Sequence, residues 1–252
     1  MTPNINQTVR EIAIENPATV RVFESLGIDY CCGGRRPLTE ACESANVPLD
    51  RMMELLAKVD QSDPEDARRW SDASLSDLTG HIVARHHAFV RQEAPRLEAL
   101  LDKVVSRHGD AHPELCSIKE LFGAMAQELT THMLKEEQVL FPYLEKMEAA
   151  VRESGTVPPA FFGSLQNPIA RMLADHDDAG ELTSKIRALS ANYSAPESAC
   201  PSYRALYRGL EDFERDLHRH VHLENNILFP RAIDMEQKHQ EHTHERSQPT
   251  CL

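Results

Sequence analysis

One pattern occurs twice in this chain, as HMLKEEQVLFP at residues 132–142 and as HVHLENNILFP at residues 220–230. In register, each copy places a histidine four residues before a glutamate. The two pairs are His132 with Glu136 and His220 with Glu224. Four residues make one helical turn plus a small rotation, so both side chains of a pair point the same way. Each pair falls within the apolar stripe of an amphipathic helix, which predicts two His–Glu pairs facing one core.

A single His–Glu pair at this spacing is usually a surface feature, but two copies on apolar stripes are not. Burying a carboxylate without a partner costs on the order of several kcal/mol, so a core with two such glutamates needs a cation. Further histidine candidates lie on the two other long helices. His176 is in the apolar stripe of one, and the other offers His81, His86 and His87. Periodicity favours His86 and spacing within the repeat favours His87, so the choice between them stays open.

Four histidines and two glutamates make a mixed nitrogen and oxygen donor set. Zinc sites usually have three or four ligands, often with cysteine, while calcium and magnesium prefer oxygen alone. Imidazoles with carboxylates that can bridge suit two iron or manganese ions with open positions for small molecules. Three acids near these histidines are candidates for orienting them or handling protons. They are Glu128, Asp175 and Asp216. His218 and His222 fall outside the stripe and are expected to face solvent.

Segments rich in Ala, Leu, Glu and Arg fill most of the chain and predict an all-α fold. Four long amphipathic helices with short connections predict an antiparallel four-helix bundle. The predicted helices cover residues 75–107, 114–151, 164–191 and 201–236. The chain is then divided into a small helical N-terminal domain with a CCGG turn, a polar linker, the bundle and a disordered tail. These parts cover residues 1–62, 63–74, 75–236 and 237–252.

The composition of the chain excludes some classes of partner and predicts the compartment in which the protein works. The formal net charge of −13 sets aside nucleic acid and anionic membranes, because such a surface repels both. The N-terminus has no apolar signal core and no run approaches a membrane span, so we expect a soluble, cytoplasmic protein. Six cysteines in 252 residues, two of them adjacent, are not a secreted disulfide framework and fit a reducing compartment.

Together with the two repeats, three further pieces carry a family resemblance. They are DYCCGG at 29–34, HIVARHH at 81–87 and DHDDAGEL at 175–182. In combination the sequence resembles the repair-of-iron-centres di-iron proteins over nearly the whole chain except the tail. The resemblance implies a hemerythrin-like four-helix bundle with a non-haem di-iron centre, behind a small helical N-terminal domain. It also implies a role in restoring iron–sulfur clusters damaged by nitric oxide or oxidants.

Carried onto this sequence, the family's ligands fall on six residues, of which the two glutamates would bridge the irons. The six are His87, His132, Glu136, His176, His220 and Glu224. The family's first ligand follows a tyrosine, so the resemblance selects His87 and makes His86 a departure at the tyrosine position. Asp175 is a second departure, where relatives carry glutamate, and this puts its proton-handling role in doubt. Asn225 stands where oxygen-carrying hemerythrins have aspartate, which disfavours an oxygen carrier.

The DYCCGG turn contains Cys31 and Cys32, and it is followed by Arg35 and Arg36. The glycines predict an exposed turn, and the arginines favour thiolates there. Adjacent cysteines pair with each other only under strain. The two thiols are therefore candidates for binding a metal, accepting nitric oxide or exchanging with another thiol, and the alternative is two inert small hydrophobic residues.

Residues and resemblance together lead us to expect two non-haem iron ions in an oxo- and carboxylate-bridged centre. The expected function is repair of damaged iron–sulfur proteins by donation of iron. The alternatives are a hemerythrin-like sensor or carrier of O2 or NO, and a di-iron enzyme that reduces NO or peroxide. No output domain of a sensor is visible, which favours repair. The sequence is compatible with a homodimer and leaves catalytic turnover open.

Overall fold

A computed structural model of the protein describes residues 4–59 and 69–246. The first of these segments forms a small helical domain. Its helices are α1 (Val9–Glu15), α2 (Val20–Ser25), α3 (Leu38–Ser44) and α4 (Leu49–Ala57). Helix α1 begins with a capping box, in which the side chains of Thr8 and Glu11 accept from each other's backbone N–H groups. The apolar sides of these helices share one buried cluster, so this domain has a core of its own.

The second segment forms four long helices, and three of them are interrupted by a π-helical stretch. Helix α5 comprises Leu75–His81, the π-helical Ile82–His87 and Ala88–His108. Helix α6 comprises Glu114–Lys135, the π-helical Glu136–Leu140 and Phe141–Ser154. Helix α7 is Gln166–Leu189. Helix α8 comprises Pro201–His222, the π-helical Leu223–Leu228 and Phe229–Arg246.

These helices pack as an antiparallel bundle. The first part of α5 contacts the last part of α6, and the last part of α5 contacts the first part of α6, so the two run in opposite directions. Helix α6 also packs against α7, and α8 packs against α5. The all-α four-helix bundle expected from the sequence is confirmed, and no strand occurs in the described residues.

The bundle core is divided into two apolar clusters. One includes Leu97, Phe122 and Phe213, and the other includes Leu144 and Leu228. Along each of the four helices, the predicted ligand positions fall between residues of one cluster and residues of the other. A layer of polar side chains is thereby enclosed between two layers from which water is excluded.

The π-helical stretches coincide with the repeat. A proline lacks a backbone N–H and clashes with the carbonyl four residues earlier, so it is unfavourable inside an α-helix. Pro142 follows the π-helical stretch of α6 near the start of the next α-helical segment, where it can be tolerated. The extra residue per turn also changes the helix phase. Val139, which the periodicity predicts to face the core, is 37% exposed.

The end of the bundle differs from the prediction. Helix α8 continues to Arg246, whereas the bundle was expected to end at residue 236, because the following residues include neither glycine nor proline. Residues 247–252 of the predicted tail and 63–68 of the predicted linker lie outside the described residues. None of the helices in the described parts of the chain combines the length and the apolar character needed to cross a lipid bilayer.

Candidate metal centre

Six side chains from the four bundle helices meet in the polar layer, and all are buried. They are His87 from α5, His132 and Glu136 from α6, His176 from α7, and His220 and Glu224 from α8. Their donor atoms form two groups, each able to hold a metal ion, and both glutamates belong to both groups. One group contains His87 and His220, and the other contains His132 and His176.

Each glutamate reaches both groups with separate oxygens. Glu136 Oε2 lies 3.3 Å from His87 Nε2, and its Oε1 lies 3.3 Å from His132 Nε2. Glu224 Oε1 lies 3.0 Å from His220 Nε2, and its Oε2 lies 3.1 Å from His176 Nε2. One carboxylate oxygen per group is the arrangement that two bridging carboxylates require.

The histidines of each group face one another through their Nε2 atoms. His87 and His220 approach to 3.2 Å, and His132 and His176 approach to 3.0 Å. Both oxygens of Glu136 are buried without a hydrogen bond among the described residues. Buried polar groups left in this way are costly, and several lone pairs that converge on one point suit a cation. The residues present therefore fit a pair of metal ions.

The close contacts between imidazoles and carboxylates in the polar layer also shift the pKa values of these groups. Burial lowers the pKa of His132, but the nearby Glu136 carboxylate outweighs burial and raises this pKa to about 9. Burial raises the pKa of Glu224, but the imidazoles of His220 and His176 outweigh it and hold this pKa well below its ordinary value. Burial likewise lowers the pKa of His220, but the nearby Glu224 carboxylate outweighs burial and raises this pKa. Protons on His132 and His220 thus balance the buried carboxylates, and binding of a metal ion must release them.

Two residues behind the histidines were not singled out for this role from the sequence. Glu137 Oε1 lies 2.6 Å from His87 Nδ1 and also pairs with Arg91. Asn225 Oδ1 lies 2.7 Å from His176 Nδ1. Each of these residues directly follows the glutamate of a repeat, so the repeat itself carried the signal. Such contacts fix the tautomer and the orientation of a ligating ring.

The three acids predicted to support the site are placed differently from one another. Asp175 Oδ2 lies 3.4 Å from His132 Nδ1 and pairs with Lys135, so it is in position to orient that ring. Asp216 is buried next to His86. Glu128 is exposed on α6, so its position lends no support to either proposed role.

The two neighbouring histidines of α5, His86 and His87, lie in different surroundings. His87 lies in the group with His220, whereas His86 turns its Nδ1 toward Asp216 Oδ2 at 3.1 Å. The His86 ring stacks on the His220 ring, with centroids 5.6 Å apart and planes 4° apart. The π-helical stretch that contains both histidines aims adjacent residues at different neighbours.

The expectation that His218 and His222 face solvent is wrong. His222 is buried and His218 is half-buried, because the N-terminal domain covers this side of α8. The amide of Asn226 donates to the Tyr30 carbonyl at 2.9 Å and to His222 Nδ1 at 2.9 Å. On the same side, Arg219 forms two hydrogen bonds of 2.8 and 2.9 Å to Glu24.

The cysteine turn is also less exposed than expected. Cys31 is buried in the bundle's apolar cluster, and Cys32 packs against that cluster. The Asp29 carboxylate accepts from three backbone N–H groups of the turn and lies 3.3 Å from Cys31 Sγ. The contact with Cys32, burial and Asp29 together raise the pKa of Cys31 well above its ordinary value. The expectation of an arginine-stabilised thiolate is therefore wrong for Cys31.

A four-helix bundle that encloses four histidines and two shared glutamates defines a hemerythrin-like cation-binding protein. The model of the hemerythrin HHE cation binding domain matches residues 78–232, and a domain of unknown function, DUF542, matches residues 5–60. The chain belongs to the hemerythrin HHE family and, within it, to the repair-of-iron-centres proteins.

Curated relatives extend the match over most of the chain. The iron–sulfur cluster repair protein YtfE of Yersinia pseudotuberculosis is 34% identical over 228 residues, which are 90% of this chain and 97% of that protein. The protein of the same name from Pectobacterium carotovorum is 35% identical over the same shares of both chains. That from Yersinia pestis is 33% identical.

Proposed function

We propose that this protein holds two non-haem iron ions and repairs iron–sulfur clusters damaged by nitrosative or oxidative stress, by donating iron. The observation that carries the proposal is the shared use of Glu136 and Glu224, each with one oxygen toward either histidine pair. His87 and His220 would hold one ion and His132 and His176 the other. Mixed imidazole and carboxylate donors suit iron.

The chain's own residues supply three further properties. The two apolar clusters exclude water from the polar layer. Glu137 and Asn225 hold the rings of His87 and His176 in orientation. Each group offers only four donor residues, which supports room at each ion for a small ligand such as NO or O2. When bound, iron supplies Lewis acidity and one-electron redox chemistry, and in this proposal it is also the cargo.

The relatives' name motivates the choice of client. Those proteins are called iron–sulfur cluster repair proteins, and we extend that role to this chain, with damaged iron–sulfur proteins of the cytoplasm as partners. The test is anaerobic incubation of the iron-loaded protein with an enzyme whose cluster nitric oxide has damaged. Activity should return as iron moves to the client in step. Recovery without loss of iron from this protein would contradict donation and favour a catalytic role.

The cysteine pair is proposed to act in delivery and not as part of the metal centre. Neither Cys31 nor Cys32 belongs to the two groups of candidate ligands. A double variant, Cys31→Ser with Cys32→Ser, should keep its iron and lose part of its repair activity in the same assay. Loss of iron would place the thiols in the metal centre, and full repair would show that they are structural.

A further inference from the structure

A cavity of about 320 Å³ lies between the N-terminal domain and the bundle. Its walls are largely apolar, with Ile14 and Val20 on one side and Ile227 on the other. His86 and Asp216 also line this cavity. Neither residue belongs to the two groups of donors in the metal centre.

The contact between these two side chains is short but is not a hydrogen bond. His86 Nδ1 and Asp216 Oδ2 are 3.1 Å apart, and their side chains are only 5% and 8% exposed. Neither atom has a hydrogen-bond partner among the described residues. A buried imidazole nitrogen and a buried carboxylate oxygen are thus left without a hydrogen bond, and a lone pair on each is available to a cation.

The spacing suits a shared cation. Two bonds of about 2.1 Å that meet near a right angle place their donor atoms about 3 Å apart, as found here. The Arg85 guanidinium lies 3.9 Å from the other Asp216 oxygen and competes with a cation. Two protein donors and a neighbouring arginine point to weak binding.

Position links this pair to the metal centre. The His86 ring stacks directly on the ring of His220, a candidate ligand. The His81 ring, which also lines the cavity, lies 5.6 Å from the His86 ring between centroids. All six residues of the centre are at most 2% exposed, so iron that is to be donated must pass through neighbouring side chains.

We propose that His86 and Asp216 form a third, weaker site for a divalent first-row cation, and that iron passes through it between the buried centre and a client. The choice of iron as the occupant and its passage to a client rest on the proposed function, whereas the cation site itself does not. The site would allow iron to leave the centre in two short steps, without exposing the six ligands to water.

The site is tested by binding of Mn²⁺ to the fully iron-loaded protein, followed by the electron paramagnetic resonance signal of free Mn²⁺. Manganese binds more weakly than iron to such donors and should leave the iron in place. Wild type should bind about one Mn²⁺ per chain. Asp216→Asn, which preserves shape, and His86→Phe, which preserves ring stacking, should each lose it and keep their iron. His112→Phe is the control, because His112 also pairs with an acid, Glu114, at 3.0 Å but lies outside the cavity.

A second measurement follows transfer of iron from the loaded protein to a ferrous chelator without oxygen. Both variants should release iron more slowly than wild type and the control, because each has lost a donor of the site through which the iron leaves. Absence of the extra Mn²⁺ from wild type, or its retention in both variants, overturns the site. Unchanged release overturns the role in transit. Failure of wild type to hold two irons would instead contradict the proposed function, and the Mn²⁺ result would still decide the site.

Discussion

The two copies of the repeat share their ligand spacing but are covered very differently. In the first copy, the positions that turn away from the metal centre include Leu134 and Val139, which are 45% and 37% exposed. In the second copy, the corresponding positions are His222 and Ile227, which are 5% and 6% exposed. The difference arises because the N-terminal domain packs on α8 and leaves α6 uncovered there.

This contrast shows that one helix can supply residues both to the metal centre and to the contact with the N-terminal domain. On α8, His220 and Glu224 face the centre, while Arg219 and Asn226 hold the N-terminal domain. On α6, the same spacing serves the centre alone. The cysteine turn is therefore attached to the helix that carries two candidate ligands, and its position is coupled to theirs.

The largest expected effect is on metal content, where the two copies should behave alike. Glu136→Ala or Glu224→Ala should lose nearly all iron, because each glutamate belongs to both groups. His132→Ala or His220→Ala should lose about half, because each histidine belongs to one group. Metal analysis after anaerobic loading checks this, with His218→Ala as the control. Equal losses in the glutamate and histidine variants would contradict bridging.

A pH effect should distinguish the second copy. Burial lowers the pKa of His222 to about 4, below the ordinary value of about 6.5. The folded state therefore favours the neutral ring. The contribution of this ring to the free energy of unfolding is fully present above about pH 6.5 and is lost as the pH falls toward 4. The full loss is on the order of 3 kcal/mol.

Urea unfolding of wild type and His222→Leu, at pH 7 and pH 5, measures this effect. The substitution gives the second copy the residue that the first has at Leu134. Stability should fall less with pH in the variant than in wild type, since the other titrating groups are common to both. An identical fall in both proteins would show that His222 is not buried as a neutral ring.

A smaller effect is expected from one pair of amides in the same register. Asn226→Ala should destabilise the protein by about 1–3 kcal/mol, because the buried Tyr30 carbonyl loses its donor. Gln138→Ala, at the matching exposed position of the first copy, should change stability by less than about 0.5 kcal/mol. Urea unfolding at pH 7 compares the two. Similar costs would mean that the N-terminal domain does not rest on Asn226.

The smallest effect is expected at the uncovered face of the first copy. Leu134→Gln should change the free energy of unfolding by no more than about 0.5 kcal/mol, since the side chain is already 45% exposed. The measurement is urea unfolding at two protein concentrations. A loss above this range that grows with concentration would show that a second copy of the chain covers this face.

Much of the site could be predicted because it depends on the spacing of residues within single helices. Two His–Glu pairs one turn apart, on apolar stripes, determine which way both side chains point, whatever surrounds the helix. The same holds for His176 and for the four helices that the loops separate. The roles of Glu137 and Asn225 could also have been predicted from the sequence. Each directly follows the glutamate of a repeat, so the two residues occupy the same position in the two copies.

Other features depend on contacts between distant parts of the chain, which no helical period contains. A π-helical stretch that changes the local phase places His87 beside His220 and turns His86 toward Asp216. The burial of His222 depends on a domain that lies about 190 residues earlier in the chain. Spacing determines which side chains share a face of a helix, but only tertiary packing decides what covers that face. For that reason the sequence by itself determined the six candidate ligands to within one histidine, and the tertiary structure alone placed Cys31 in the bundle core and His86 beside Asp216.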